Sequence, residues 1–137
     1  MTLFEQFIMC HVVGDWILQP QKMALNKTSC WKTRFLHCLI YTSCFLFVWP
    51  HLSVFALAWI FLTHFIIDSY KPLFWFRKLR GDFNHMAFDP KPDGTSYTDF
   101  EKFKKSFETT SGFFVNICFD QIFHLLAFLP ILLKIIT

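Results

Sequence analysis

The sequence predicts an all-α integral membrane protein, a four-helix bundle with a short amphipathic interfacial helix in its third loop. Two observations carry that class. Of 137 residues, 54% are hydrophobic and 20% aromatic, with 20 Phe against 4 Gly, and only 17% are charged. A small domain buries too little of its surface to hide that many large side chains from water. The charged residues also fall mainly between four long apolar runs. A third observation bears on function. Histidine and aspartate recur four residues apart inside these runs, as His11 and Asp15, His64 and Asp68 and, in reverse order, Asp120 and His124. That spacing puts both members of a pair on one helix face.

The chain reads as one transmembrane domain over residues 1–137. Its first helix is expected over about 3–18, ending at Gln19-Pro20. At ~1.5 Å per residue it spans about 24 Å, short of the ~30 Å apolar layer. The N-terminus has neither the basic region nor the small-residue cleavage site of a secretory leader, so the run is expected to be retained. His11 and Asp15 make it a costly membrane helix unless they have partners. Gly14, between them, suits the close approach of another helix.

Residues 21–34 form a polar loop carrying Lys22, Lys27, Lys32 and Arg34 and no acid. The second helix, about 31–49, contains His37. Pro50-His51 then turns the chain, because proline cannot continue a helix. The third helix, about 52–70, holds His64 and Asp68 and ends at Lys71-Pro72. Residues 71–111 form the one large loop. Its aromatics at Phe74, Trp75 and Phe76, followed by Arg77, Lys78 and Arg80, read as interfacial. Asp89-Pro90-Lys91-Pro92-Asp93-Gly94 reads as a turn. Thr98 and Glu101 form a capping box that opens a helix through about Glu108. Phe100, Phe103 and Phe107 share one face of it, expected to lie on the membrane surface. The fourth helix is expected over about 112–136, kinked late at Pro130.

Loop charge sets the expected topology. The loop after the first helix carries 4 Lys/Arg and the loop after the third carries 8, whereas the Pro50 turn and the N-terminus carry none. The positive-inside rule therefore puts both loops in the cytoplasm and both termini outside. His11, Asp15, His37, His64, Asp68, Asp120 and His124 then fall at overlapping heights in the cytoplasmic half of the layer.

Three carboxylates in one apolar layer repel each other, and in this reading Lys71 is the nearby cation. A divalent metal resolves the conflict. Imidazole with carboxylate suits Zn first, and also Fe, Mn or Ni. The seven residues are enough for one ion, or for two that share a bridging aspartate. Gln19, Tyr41, Asn116 and Gln121 are placed to orient ligands. His51 and His85 lie outside the layer and read as surface residues. The five cysteines form no CxxC pair and read as small hydrophobes. A net charge of +3 is too modest to imply nucleic acid.

At these residues the sequence resembles the small bacterial and phage membrane proteins grouped as domain of unknown function 3307. The matching positions are His11-x3-Asp15-x3-Gln19, Met23-Ala24 with Lys27, His37, His64-x3-Asp68 with Lys71, and Asp120-Gln121-x2-His124. The resemblance covers the whole chain and implies a bacterial inner-membrane location. In general style it is similar to membrane-embedded metal-dependent hydrolases with His/Asp motifs on helices.

The expected activity is metal-dependent hydrolysis of a phosphoester or other ester at the cytoplasmic headgroup layer. Asp15, Asp68 and Asp120 are candidate ligands or bases, and Lys71 is a candidate neutraliser of an anionic lipid or polyprenyl phosphate. Two other classes stay open. One is a small cation or proton transporter, which at this size implies a homo-oligomer. The other is a non-enzymatic membrane effector whose metal only holds the bundle together.

Overall fold

A computed structural model describes residues 1–48 and 52–134, which are helical with no strand. The chain divides into two compact units, Met1–Ser69 with Phe123–Thr137, and Tyr70–Ile122.

In the first unit, α1 (Leu3–Val12) opens on a capping box. Thr2 Oγ1 accepts from the Glu5 amide, and Glu5 reaches back to the Thr2 amide. The helix then widens into a π turn over Val13–Ile17, closed by the Leu18 amide donating to Val13 O at 2.9 Å. The expected 3–18 helix is therefore α-helical only to Val12, and Asp15 sits in the middle of the widened turn. Such turns are rare and recur at functional sites.

Helix α2 (Gln21–Asn26) is short. Helix α3 (Trp31–Cys44) tightens into a 3₁₀ turn at Phe45–Val48, and the turn expected at Pro50-His51 lies outside the described residues. Helix α4 (Val54–Ile67) is capped by Ser53, whose Oγ accepts from the Ala56 amide at 3.1 Å.

The core of this unit is aromatic. Phe7 packs edge-on against Phe45 and Phe128 at centroid distances of 5.3 and 5.0 Å. Gly14 lets the π turn close on α3, since a Cβ there would lie 2.9 Å from Tyr41 Cδ2 and 3.1 Å from Tyr41 Cα. The second of these is backbone and cannot rotate away. Gly14→Ala is accordingly expected to cost about 1–3 kcal/mol by overpacking, read as a fall in the unfolding midpoint in detergent. An unchanged midpoint contradicts the close approach.

The second unit holds α5 (Lys71–Leu79), a 3₁₀ turn at Asp82–His85, α6 (Asp99–Ser106) and most of α7 (Thr110–Ala127). Tyr70 enters α5 in the left-handed region at φ 55°. Helix α6 opens on the expected Thr98–Glu101 capping box. Its apolar face, however, turns inward: Phe103 packs on Phe74 at 5.6 Å and on Phe83 at 6.2 Å, while Phe100 stays half exposed. Arg77, read from the sequence as an interfacial cation, is buried. It donates to Asp82 Oδ2 at 3.0 Å, to Ser106 Oγ at 3.2 Å and to Asn116 Oδ1. Asn116 in turn donates to Ser106 Oγ at 2.9 Å. This hub, rather than the histidine layer, is what engages Asn116.

The fourth expected helix is interrupted at Phe128, between α7 and α8 (Leu129–Leu132), near Pro130. Ile131 bonds back to Phe128 O, and the Trp59 indole donates to the freed Ala127 O at 2.8 Å. Among the described residues, Thr110–Leu132 is long and apolar enough to cross a membrane by itself. Helices α1, α3 and α4, at 10, 14 and 14 residues, are shorter than the unbroken spans expected from the sequence.

Candidate metal centre

In the first unit, three pieces of chain bring their polar residues together. The π turn supplies Asp15, α3 supplies His37, and α4 with its C-cap supplies His64 and Asp68. All four are buried, and each offers a ligand atom within 4.8 Å of the others. His37 Nε2 lies 2.9 Å from His64 Nε2, 3.1 Å from Asp15 Oδ1 and 3.3 Å from Asp68 Oδ2. His64 Nε2 lies 3.4 Å from Asp68 Oδ2 and 3.9 Å from Asp15 Oδ1. A tetrahedral ion with bonds of about 2.0–2.1 Å has ligand–ligand edges of roughly 3.3–3.4 Å. The five separations fall around that edge, so this donor set could hold one divalent ion. Asp15 is the loosest corner.

Each ring is held from behind. The Tyr41 ring stacks on His64 at 3.6 Å, and its hydroxyl is 2.9 Å from His11 Nδ1. His64 Nδ1 has no hydrogen-bond partner among the described residues, so packing on Tyr41 sets that ring's orientation. For Gln19, the amide orientation that satisfies its neighbours has its nitrogen donating to Asp15 O at 2.8 Å and its oxygen accepting from Lys27 Nζ at 3.2 Å. That oxygen is the atom facing His37 Nδ1 at 3.4 Å. His37 then carries its proton on Nδ1 and presents the lone pair of Nε2 to the cluster, as metal-ligating histidines do.

Lys27 is the residue that sequence reasoning missed. In the sequence it reads only as a loop charge and as part of the family pattern, yet its side chain is buried. Its Nζ lies 2.9 Å from Asp15 Oδ1, 3.1 Å from Asp68 Oδ1 and 3.4 Å from His37 Nε2. Burial works against its charge, but Asp68 and Asp15 outweigh burial and hold the ammonium above the ordinary lysine range. Arg34 anchors the loop that delivers it, donating to Lys27 O at 2.8 Å and to Thr28 O at 2.7 Å. The sequence did hold a signal for it, since a loop of four cations and no acid precedes a layer rich in carboxylates.

The remaining expected residues are placed as follows. His124 lies beside the cluster, its Nε2 3.6 Å from Asp68 Oδ1 and its ring 4.5 Å from that of His64. His11 is buried, 5.3 Å from His124 between ring centroids. Asp120 belongs to the other unit, one turn before His124 along α7, and accepts from Gln121 Nε2 at 3.3 Å. Lys71, also in that unit, is exposed at the first position of α5. Within the first unit, Lys27 is the cation set against Asp15 and Asp68.

Neither the curated proteins nor the solved structures provide a match to this chain. The family model for Protein of unknown function (DUF3307) matches residues 3–137, and the chain belongs to that family.

Proposed function

We propose that the chain is a membrane-embedded, metal-dependent hydrolase of phosphoesters or related esters, working at the cytoplasmic face. The membrane reading rests on exposed apolar surface. In the first unit Phe47 and Phe55 are 90% and 77% exposed, and in the second Leu79 is 85% exposed. Apolar residues left open on this scale belong against lipid or a partner rather than water. With the basic loops counted as cytoplasmic, both termini lie outside.

One observation carries the catalytic reading. Asp15 Oδ1 is bonded to Lys27 Nζ at 2.9 Å and stands 3.9 Å from His64 Nε2. His37, His64 and Asp68 would then form a three-ligand set, with Asp15, 3.1 Å from His37 Nε2 but shared with Lys27, left to act on a water at the fourth position. Three protein ligands with an open fourth position are the mark of a catalytic zinc site, whereas four make a closed structural one. A divalent ion in this set would supply Lewis-acid activation of water. Asp15 is the carboxylate placed to act on that water. It orients the attacking water and takes its proton as the new bond to phosphorus forms and the leaving alkoxide departs.

The test is metal-dependent turnover of a panel of lipid and polyprenyl phosphates by the detergent-purified protein. Asp15→Asn is expected to keep its metal and lose about 10²–10⁴-fold in kcat, the usual contribution of a positioned base. Full metal content with no turnover across the panel assigns the centre a structural role.

A further inference from the structure

We propose that Cys10, Cys44 and Met9 form a second, separate metal site, one that takes a soft monovalent ion, Cu(I) or its analogue Ag(I), when it is offered. None of the three belongs to the His/Asp cluster, and the inference does not rest on the hydrolase reading.

In the first unit a cavity of about 330 Å³ opens between α1 and the end of α3 with its 3₁₀ turn. Its wall has eight residues, and four of them are Met1, Met9, Cys10 and Cys44, drawn from only 5 Cys and 4 Met in the chain. Helix spacing accounts for the clustering. Met9 and Cys10 stand three and four positions after Gln6, on one face of α1, and that face meets the Cys44 end of α3. Cys10 Sγ reaches across and donates to Cys44 O at 3.3 Å, while Cys44 Sγ donates to Ile40 O at 3.4 Å. Both thiols are buried, and both bonds are the weak S–H kind that a metal–sulfur bond displaces. Met9 is exposed, and its three rotatable bonds let the thioether swing into the cavity.

The donor type sets the ion. Zinc is bound by cysteine, histidine and carboxylate and completes four such ligands in a structural site, whereas this wall offers two cysteines and no histidine or carboxylate. Thiolate and thioether together select Cu(I). Charge points the same way. One thiolate neutralises Cu(I), so the bound ion leaves no net charge among side chains that carry none. The proton of that thiol goes to solvent, and the second cysteine stays a thiol.

For the test, full-length protein in detergent is reduced, kept free of oxygen and titrated with Cu(I) against a Cu(I)-selective chelator. Wild type is expected to take one Cu(I) per chain from the chelator, with zinc bound beforehand or without it. Cys10→Ala and Cys44→Ala are each expected to bind at least about 100-fold more weakly, beyond the ~10–100-fold loss of a group that only orients a ligand. Met9→Leu, which keeps the apolar volume, is expected to bind more weakly than wild type. Cys118→Ala, at an exposed position of α7, is expected to bind as wild type does. X-ray absorption at the copper edge of loaded wild type, which needs no variant to fold, is expected to show sulfur neighbours alone. Wild type that leaves all Cu(I) with the chelator overturns the inference. So do nitrogen or oxygen neighbours around the bound copper, and so does wild-type affinity in Cys10→Ala or Cys44→Ala.

Discussion

Lys27→Met is expected to destabilise the metal-free protein by about 3–5 kcal/mol, and added zinc is expected to restore most of that loss. The first figure is the usual cost of removing one partner from a buried ion pair, which leaves the other charge uncompensated. Here two carboxylates lose their cation at once, because Lys27 Nζ contacts Asp15 at 2.9 Å and Asp68 at 3.1 Å. The recovery follows from charge, since an ion held by Asp68 Oδ2 and the two histidines supplies the cation that methionine lacks. Unfolding in chelator and in excess zinc measures both numbers. An equal loss in both conditions places Lys27 in packing alone and separates it from the ion.

The second large effect concerns the ligands. His37→Ala and Asp68→Asn are each expected to abolish metal retention, while His11→Ala is expected to weaken it without abolishing it. His37 Nε2 makes the three shortest edges of the cluster, at 2.9, 3.1 and 3.3 Å. Asp68 Oδ2 sits within 3.4 Å of both histidines. His11 acts at one remove, through the Tyr41 hydroxyl and the ring that Tyr41 stacks on His64. Loss of an orienting group of that kind costs about 10–100-fold in metal affinity. Elemental analysis after dialysis against graded chelator reads the difference. Equal retention by His37→Ala and His11→Ala contradicts the assignment of His37 as a ligand.

Much of the site could be read from spacing. His64 and Asp68, four apart, do share a face, and both are buried. His37, alone in its run, was placed at the same depth by loop charge and helix length, and it meets both. Asp15 was also expected, although the π turn that carries it was not. A turn closed one residue late leaves no mark in composition, and an ordinary helix through Ile17 fits the same letters. The helix ends differ from the expected ones for a related reason. Hydropathy continues through Leu18 and Tyr70, while the backbone changes course at the π turn and at the left-handed Tyr70.

The cations were the main thing the sequence concealed. Lysine and arginine near an apolar run read as topology signals. Lys27 and Arg77 are buried instead, each neutralised by carboxylates that the chain supplies from elsewhere. Sequence alone gives no distance between Lys27 and Asp68, forty-one positions later, so the carboxylate layer looked short of positive charge. The structure supplies one such charge from the protein itself. That reduces the case for a second ion within the first unit, since Lys27 already meets both carboxylates.

The most direct measurement is the transition-metal content of the detergent-purified wild-type protein, determined beside Asp68→Asn. The account predicts close to one ion per chain in wild type and none in the variant. Wild-type protein that folds, shows its native unfolding transition and carries no stoichiometric metal after incubation with zinc contradicts it. Asp15, Lys27, Asp68, His37 and His64 would then be a hydrogen-bonded network that needs no ion.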